Sequence, residues 1–341
     1  QAPDVEVQFK NVIISTGSSS ISLPDIPDDP RIVDSTGALE LSDIPERLLI
    51  VGGGIIGLEM ASVYAGLGSR VTIVELASDL MVDLDSDLVA PLEKSILKIV
   101  EAIFKGTRVS RIVSHKDSLS VDLDGPDVPS NMNFDKVLLA IGRKPNTKGL
   151  GLEKLDVQLS HDGFVSVDSM MCAAPSVYAV GDIVGPPMLA HKAAHQGKVA
   201  AEAVAGLKAE FSSLTIPSVA YTDPELAWTG VTETEAKKAG IDFSKGMYPW
   251  YASGRSLSTG RKEGITKLLF DKKSRRLIGA GIVGSNAGEL IGEISLAIEM
   301  GCDEEDLALT IHPHPTLIET ISTAAEVAAG TVTELYLGRN K

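Results

Sequence analysis

Short apolar runs that stop on glycine punctuate this sequence. Ile13-Ile14-Ser15-Thr16-Gly17, Leu138-Leu139-Ala140-Ile141-Gly142 and Val177-Tyr178-Ala179-Val180-Gly181-Asp182 share that plan. Each glycine lacks the Cβ that would keep a backbone away from a ligand. Ahead of the first run, Val5 to Ile14 alternates and then turns wholly apolar, as strands inside a sheet do. A longer unit lies between the first run and the second. The apolar strand Leu48-Leu49-Ile50-Val51 enters Gly52-Gly53-Gly54-Ile55-Ile56-Gly57, followed by a helix from Leu58 to Leu67, a stop at Gly68, and a strand from Arg70 to Val74 that ends at Glu75. Asp83 to Ser86 can cap a further helix, whose apolar positions Leu88, Leu92, Ile96, Ile99 and Ile103 keep helical spacing. The pattern is a βαβα unit.

From about Gly151 to Gly206 the pattern returns to strands, then to the loop Gly185-Pro186-Pro187 and an alanine-rich helix from His191 to Val204. A boundary is expected near Glu210 to Thr215. Beyond it, Val219 to Thr222, Thr266 to Phe270 and Leu277 to Val283 read as strands, with helices over Thr234 to Ala239, Ala287 to Met300 and Leu317 to Ala329. This last block reads as a separate α+β domain. Neither a solenoid repeat nor a low-complexity segment interrupts it.

Composition narrows the class. At 341 residues the chain has room for two or three domains, by the prior of about 150 residues each. Hydrophobic residues at 44%, aromatics at 4% and 32 glycines suit a glycine-punctuated α/β architecture. A net charge of −15 argues against nucleic acid and anionic membranes as partners. No stretch approaches the roughly 20 apolar residues of a membrane span. The two cysteines, Cys172 and Cys302, offer no disulfide framework and no metal-ligand spacing, so reducing surroundings and no metal are expected. Because the first residue is Gln1 and the opening already reads as strand, a fragment or processed product is expected, with any targeting segment upstream and unreadable.

Three segments carry chemistry. Gly52-x-Gly54-x-x-Gly57 follows a strand, opens a helix and has Glu75 at the end of the next strand, about 20 residues on, which is the dinucleotide-binding arrangement. Gly52 permits the tight turn, Gly54 lets a pyrophosphate approach the helix start, and Gly57 lets helix and strand pack. Glu75 would accept from the adenosine ribose hydroxyls and repel a 2′-phosphate, favouring NAD; without the glycine loop it would be a solvated strand-end acid. Asp182, at a strand end before a helix, can accept from a polyol or ribose, or serve as an ordinary cap. Finally, His312-Pro313-His314-Pro315-Thr316-Leu317-Ile318-Glu319 sets an imidazole and a carboxylate across a rigid proline turn. That suits a general base with an orienting acid, since an imidazole titrates at roughly 6.5. It equally suits a stiffened turn before a helix that has Glu319 in its first turn.

Gly52 to Glu59, Ala140-Ile141-Gly142-Arg143-Lys144-Pro145-Asn146, Tyr178 to Asp182, Met188-Leu189-Ala190-His191-Lys192-Ala193 and His312 to Glu319, in this order, resemble the dihydrolipoamide dehydrogenases of the flavin disulfide-reductase family over essentially the whole chain, bacterial forms most of all. The resemblance implies a fold with two Rossmann-like dinucleotide-binding domains and a C-terminal α+β dimerisation domain, the FAD domain being incomplete. The segments would be 1–43, remnant of the FAD domain; 44–143, NAD domain; 144–211, central return; and 212–341, interface domain. It further implies that Gly52, Gly53, Gly54, Ile55, Ile56, Gly57, Leu58, Glu59, Glu75, Val109 and Gly142 contact NAD, and that Ser15, Thr16, Gly17, Asp182, Met188, Leu189, Ala190 and His191 contact FAD. His314 would be the base and Glu319 its orienting partner, serving the flavin site of the other subunit of an obligate homodimer. His312 would be a turn residue.

The implied activity oxidises dihydrolipoyl groups of 2-oxoacid dehydrogenase complexes and the glycine cleavage system, through FAD to NAD, in the cytoplasm. The acidic surface would dock on a basic binding module. Family members also carry an N-terminal FAD-binding turn and a redox cysteine pair, which Cys172 and Cys302 do not replace, so the chain alone is expected to bind FAD weakly and to be inactive with lipoamide. Two other readings stand beside this one: a non-catalytic fragment that binds NAD and dimerises, and a soluble pyridine nucleotide transhydrogenase. A sample with the intact mass of 35.9 kDa is expected to show no flavin bands in its visible spectrum. Tight flavin binding by a chain verified to begin at Gln1 would refute this.

Overall fold

A computed structural model describes residues 7–336; Val5 and Glu6 of the expected opening strand, and residues 337–341 of the expected interface domain, lie outside them. The chain divides into two units, one joining Gln1–Ile21 to Gly142–Ser213, the other joining Ser22–Ile141 to Leu214–Lys341.

In the first unit Val12–Ile14 pairs in parallel with Val177–Ala179, which pairs antiparallel with Cys172–Ala174. Ser18–Ser20 runs antiparallel to Arg143–Pro145. Of the alternation read from Val5, the described residues form strand only at Val12–Ile14; no strand among the described residues lies beside residues 7–11, and Val7 and Phe9 stay exposed. Leu152, Val157, Val165, Val177, Ala179 and Ile183 form the small core. The helix Ala190–Val204 follows, as the alanine-rich run predicts.

The second unit begins with a parallel sheet in the order Ile32–Val33, Lys136–Leu139, Arg47–Val51, Arg70–Val74, Ala102–Phe104. Its edge strand lies ahead of the boundary expected at residue 43, with Ile32 and Val33 beside Val137 and Leu138. The helix read through Ile103 ends sooner: it spans Ser86–Ile96, and Ile103 sits in the last strand of the sheet. Apolar residues at helical spacing continue through the turn into that strand, so the spacing alone does not mark the stop. An antiparallel meander of Arg108–Ser114, Leu119–Asp124 and Asn131–Phe134 follows, with no counterpart in the sequence reading.

The C-terminal sheet is antiparallel, in the order Ser218–Ala220, Glu225–Gly230, Leu277–Gly284, Ile265–Asp271, Phe243–Pro249. Period-2 alternation turns Leu226 and Val283 toward one core, and Ala227 and Ile282 toward another that contains the helices Ala287–Met300 and Glu319–Ala329. The first of these cores is shared. Leu88, Val89 and Leu92 of the Ser86–Ile96 helix and Leu48, Ile50 and Leu58 of the nucleotide fold belong to it too. Packing is close enough that a Cβ on Gly281 would lie 2.2 Å from Leu88 Cδ1. The block expected as a separate domain is therefore joined to the nucleotide fold through a common core.

One buried charge crosses the same junction. Lys267, with its side chain 1% exposed, donates from Nζ to Asp87 at 2.6 Å, Asp85 at 2.8 Å and Glu233 at 3.1 Å. Asp85 stands at the N-cap of Ser86–Ile96, but its carboxylate accepts from the Glu233 and Thr234 amides and so caps the distant Glu233–Lys238 helix. Burial raises the Glu233 carboxyl, yet hydrogen bonds from Lys245 and Lys267 outweigh it and hold that group at about 2, down from 4.5.

Replacing Lys267 by Met leaves three carboxylates facing one another, and is expected to cost about 3–5 kcal/mol in urea unfolding. A carboxyl depressed by folding contributes stability above its unfolded value of 4.5 and loses it as pH falls through about 2. The Lys267→Met variant should therefore lose less stability than the parent across that acid range.

Candidate functional site

The glycine turn divides by role. A Cβ on Gly52 would lie 2.3 Å from the Ala140 carbonyl oxygen, and one on Gly57 would lie 2.0 Å from the Gly52 carbonyl oxygen. Those two glycines let the helix start and the neighbouring strand meet. Gly54 differs: a Cβ there meets nothing within 4 Å. It is also the N-cap of the helix Ile55–Gly66, with no side chain capping the first-turn amides. Open space beside uncapped amides at a positive dipole end is what a pyrophosphate requires, so these residues fit a dinucleotide.

Glu75 stands at the rim. Its Oε2 accepts from the Gly53 amide at 2.6 Å and its Oε1 from the Ala77 amide at 2.7 Å. Each oxygen keeps a second lone-pair site, so the carboxylate is aimed by the backbone and can still accept from ribose hydroxyls. Other expected contacts are placed differently. The side chains of Leu58 and Val109 are buried in core clusters and can serve a ligand only through their main chain. The Glu59 carboxylate accepts from the Tyr221 amide at 2.8 Å, tying the nucleotide-binding helix to the C-terminal sheet. Gly142 falls in the first unit, where its carbonyl accepts from the Ile21 amide at 3.0 Å.

The residues expected at FAD gather in the first unit. Thr16 and Asn146 exchange hydrogen bonds at 2.9 Å, Thr16 Oγ1 donating to the Asn146 carbonyl and Asn146 Nδ2 to the Thr16 carbonyl, and so fix the turn at Ser15, Thr16 and Gly17. Arg143 Nε donates to Ser18 Oγ at 2.7 Å, and Ser18 Oγ to Asp182 at 2.5 Å. Met188 and Leu189 lead into Ala190–Val204, whose N-terminus also lacks a side-chain cap; Ala190 and His191 open that helix. An aimed carboxylate and a second uncapped helix start fit part of a dinucleotide cradle. Sequence reasoning passed over Ser18, Arg143 and Lys192 as site residues. Buried Lys192 donates to the Gly185 carbonyl at 2.6 Å, and burial pushes its ammonium down. Arg143 and Lys192 do stand inside the motifs quoted above.

His314 Nδ1 lies 3.0 Å from Glu319 Oε2, with the histidine side chain 73% exposed and the glutamate 18%. Glu319 is the first residue of Glu319–Ala329. With Nδ1 occupied, Nε2 is the ring nitrogen left to take a proton. Cys172 and Cys302 are both free thiols, and burial pushes each of them up. The acidic trio Asp85, Asp87 and Glu233 is filled by the Lys267 ammonium.

The family profile described as pyridine nucleotide-disulphide oxidoreductase matches residues 2–197, and the profile for the dimerisation domain of the same family matches 216–325. A dihydrolipoyl dehydrogenase of Vibrio cholerae is 50% identical over 332 residues, covering 96% of this chain and 70% of the relative. That of Geobacillus stearothermophilus is 41% identical, covering 95% and 69%. Among solved structures, LpdA from Mycobacterium tuberculosis superposes with a TM-score of 0.84 at 28% identity, covering 93% of this chain and 69% of that one.

Gly54→Ala is expected to fold as the parent does, since its Cβ meets open space, yet to weaken NADH binding at least ten-fold. Gly57→Ala should instead lower the melting temperature. Thermal unfolding and NADH fluorescence titration separate the two; unchanged NADH affinity in Gly54→Ala would remove the turn from the site.

Proposed function

The chain belongs to the dihydrolipoyl dehydrogenases within the pyridine nucleotide-disulphide oxidoreductases, and from that premise we propose that His314 is the base of the reaction and Glu319 the group that orients it. Enzymes of this family oxidise dihydrolipoyl groups to the cyclic disulfide and reduce NAD, with FAD as the second cofactor. The dithiol gives up two electrons and two protons, NAD takes a hydride, and one proton is left for solvent. FAD, when bound, carries the electron pair between the sulfur chemistry and NAD.

The contact between His314 and Glu319 carries this reading. Nδ1–H donates to the carboxylate, which fixes the tautomer and leaves the Nε2 lone pair to accept a thiol proton. The imidazolium so formed lies against a carboxylate that stabilises it. Gly52 to Glu59, with Glu75, would hold NAD, Glu59 and Leu58 acting through the backbone. Ser15 to Gly17, Asp182 and Met188 to His191 would contribute to holding FAD.

Both His314 and Glu319 fall within the 216–325 match to the dimerisation domain. The enzyme is a homodimer in this reading, residues 212–341 are its interface domain, and His314 serves the flavin site of the second subunit. Exposed Leu296, Met300, Leu309 and Ile311 supply apolar surface for such an interface. Its substrates are the dihydrolipoyl groups on the acyltransferase of 2-oxoacid dehydrogenase complexes or on the glycine cleavage carrier. Among the described residues no helix is long and apolar enough to cross a membrane. Cytoplasmic residence is part of this reading.

Turnover needs a redox cysteine pair, so the substitutions are read in a form of the enzyme that carries one. His314→Gln is expected to lower kcat by about 10²–10⁴ with little change in KM for dihydrolipoamide. Glu319→Gln, which keeps an acceptor for Nδ1–H but not its charge, should lose less. A His314→Gln enzyme with parental kcat would end the assignment.

A further inference from the structure

We propose that His312 is a positioning residue for His314, clasping the loop that carries the base to the helix Ala287–Met300 through Glu293. The inference rests on the reading of His314 as the base and extends it to what holds that base in place.

Apart from the Thr310 hydroxyl, which donates to the Asp306 carbonyl at 2.7 Å, the first half of the segment between the helices Glu304–Leu309 and Glu319–Ala329 packs few side chains inward. Leu309 is 71% exposed and Ile311 96%, and Pro313, His314 and Pro315 are exposed as well. At the far end Leu317 and Ile318 pack on the core of the C-terminal sheet. His312 alone among residues 309–315 turns its side chain inward, leaving 6% of it exposed.

Both ring nitrogens are engaged there. Nδ1 lies 2.9 Å from the Thr310 carbonyl oxygen, which only accepts, so Nδ1 carries a proton and donates. Nε2 lies 2.8 Å from Glu293 Oε1, sharing one proton with that carboxyl group. The first bond closes the loop on itself; the second fastens it to a helix whose Leu290, Ile291, Ile294, Ala297 and Ile298 are buried in the core. His314, two residues on, hangs between this clasp and the Leu317–Ile318 anchor. Its pairing with Glu319 needs both ends fixed, because a base displaced by about 1 Å loses its geometry. The two histidines of the motif thus divide the work: one is exposed and faces the substrate, the other is buried and faces the scaffold.

The test uses the 341-residue chain and three substitutions. Glu293→Gln keeps a hydrogen-bond partner for Nε2 in the same place, its amide able to donate to the ring lone pair, Glu293→Ala removes the partner, and His312→Asn keeps the donor to Thr310 but cannot reach Glu293. Two readouts are followed: amide hydrogen exchange across residues 310–316, and imidazole ¹⁵N shifts of His314, which report how fully its proton sits on Nδ1 against Glu319. Glu293→Ala and His312→Asn are expected to raise exchange in the loop at least ten-fold and to mix the His314 tautomers, while Glu293→Gln stays near the parent. Should Glu293→Ala keep parental exchange and a pure Nδ1–H tautomer, the clasp is refuted, whatever His312→Asn does. Neither readout involves turnover. A wrong base assignment would show instead as unaffected kcat in His314→Gln, so the two failures are told apart.

Discussion

The buried ammonium of Lys267 is the constraint on which the larger unit depends. A charge with 1% exposure is tolerable only where opposite charge and hydrogen bonds replace water, and three carboxylates do so here. They come from different places: Asp85 and Asp87 from the start of a nucleotide-fold helix, Glu233 from the C-terminal block. The ion cluster therefore sets one register between the glycine turn's scaffold and the scaffold of His314. The apolar core shared by Leu58, Leu88, Leu226 and Val283 supplies most of the cohesion, but apolar contact is non-directional and would tolerate sliding. A lysine bonded to three fixed oxygens would not.

Acidic side chains recur as tethers. Asp85 caps the Glu233–Lys238 helix across 148 residues, Glu59 takes the Tyr221 amide across 162, and Glu225 takes the Gly288 amide at the start of Ala287–Met300. Glu75 does the same for the Gly53 amide of the glycine turn. Part of the excess negative charge is thus spent on orphan backbone donors rather than on solvent. Glycines are the complement of these tethers. Without a Cβ on Gly246, which would lie 1.8 Å from the Ala324 carbonyl oxygen, the helix that begins with Glu319 comes down onto the sheet.

His314 shows how far one subunit goes. Its Nδ1 is oriented by Glu319 while 73% of the side chain remains exposed. At that exposure the dielectric of water weakens the pairing of imidazole and carboxylate. Enclosure by a second subunit would strengthen the same hydrogen bond without altering its partners. If His314 is the base, as proposed, its place within the match to the dimerisation domain links assembly to chemistry.

Much of this was legible from residue order. The glycine turn with Glu75, the helix Ala287–Met300, which appears with the bounds its periodicity predicts, and the histidine to glutamate spacing all rest on local rules, in which backbone sterics, helical period and chain connectivity suffice. What the order left open needed neighbours distant in sequence. Leu119–Asp124 alternates apolar and polar residues as a strand does and was passed over, whereas the rest of the meander from Arg108 to Phe134 and the strands Glu225–Gly230 and Phe243–Pro249 carry weaker local signals and become strands because partners lie beside them. The helix after Asp85 stops at Ile96 although apolar spacing runs on. The carboxylate of Glu59, a residue read as a nucleotide contact, takes the Tyr221 amide, and His312, read as a turn residue, also buries its ring against Glu293. Sequence alone determined which residues could bind a dinucleotide or move a proton. Only the tertiary structure decided which carboxylate meets which donor, because a hydrogen-bond partner is chosen by distance in space.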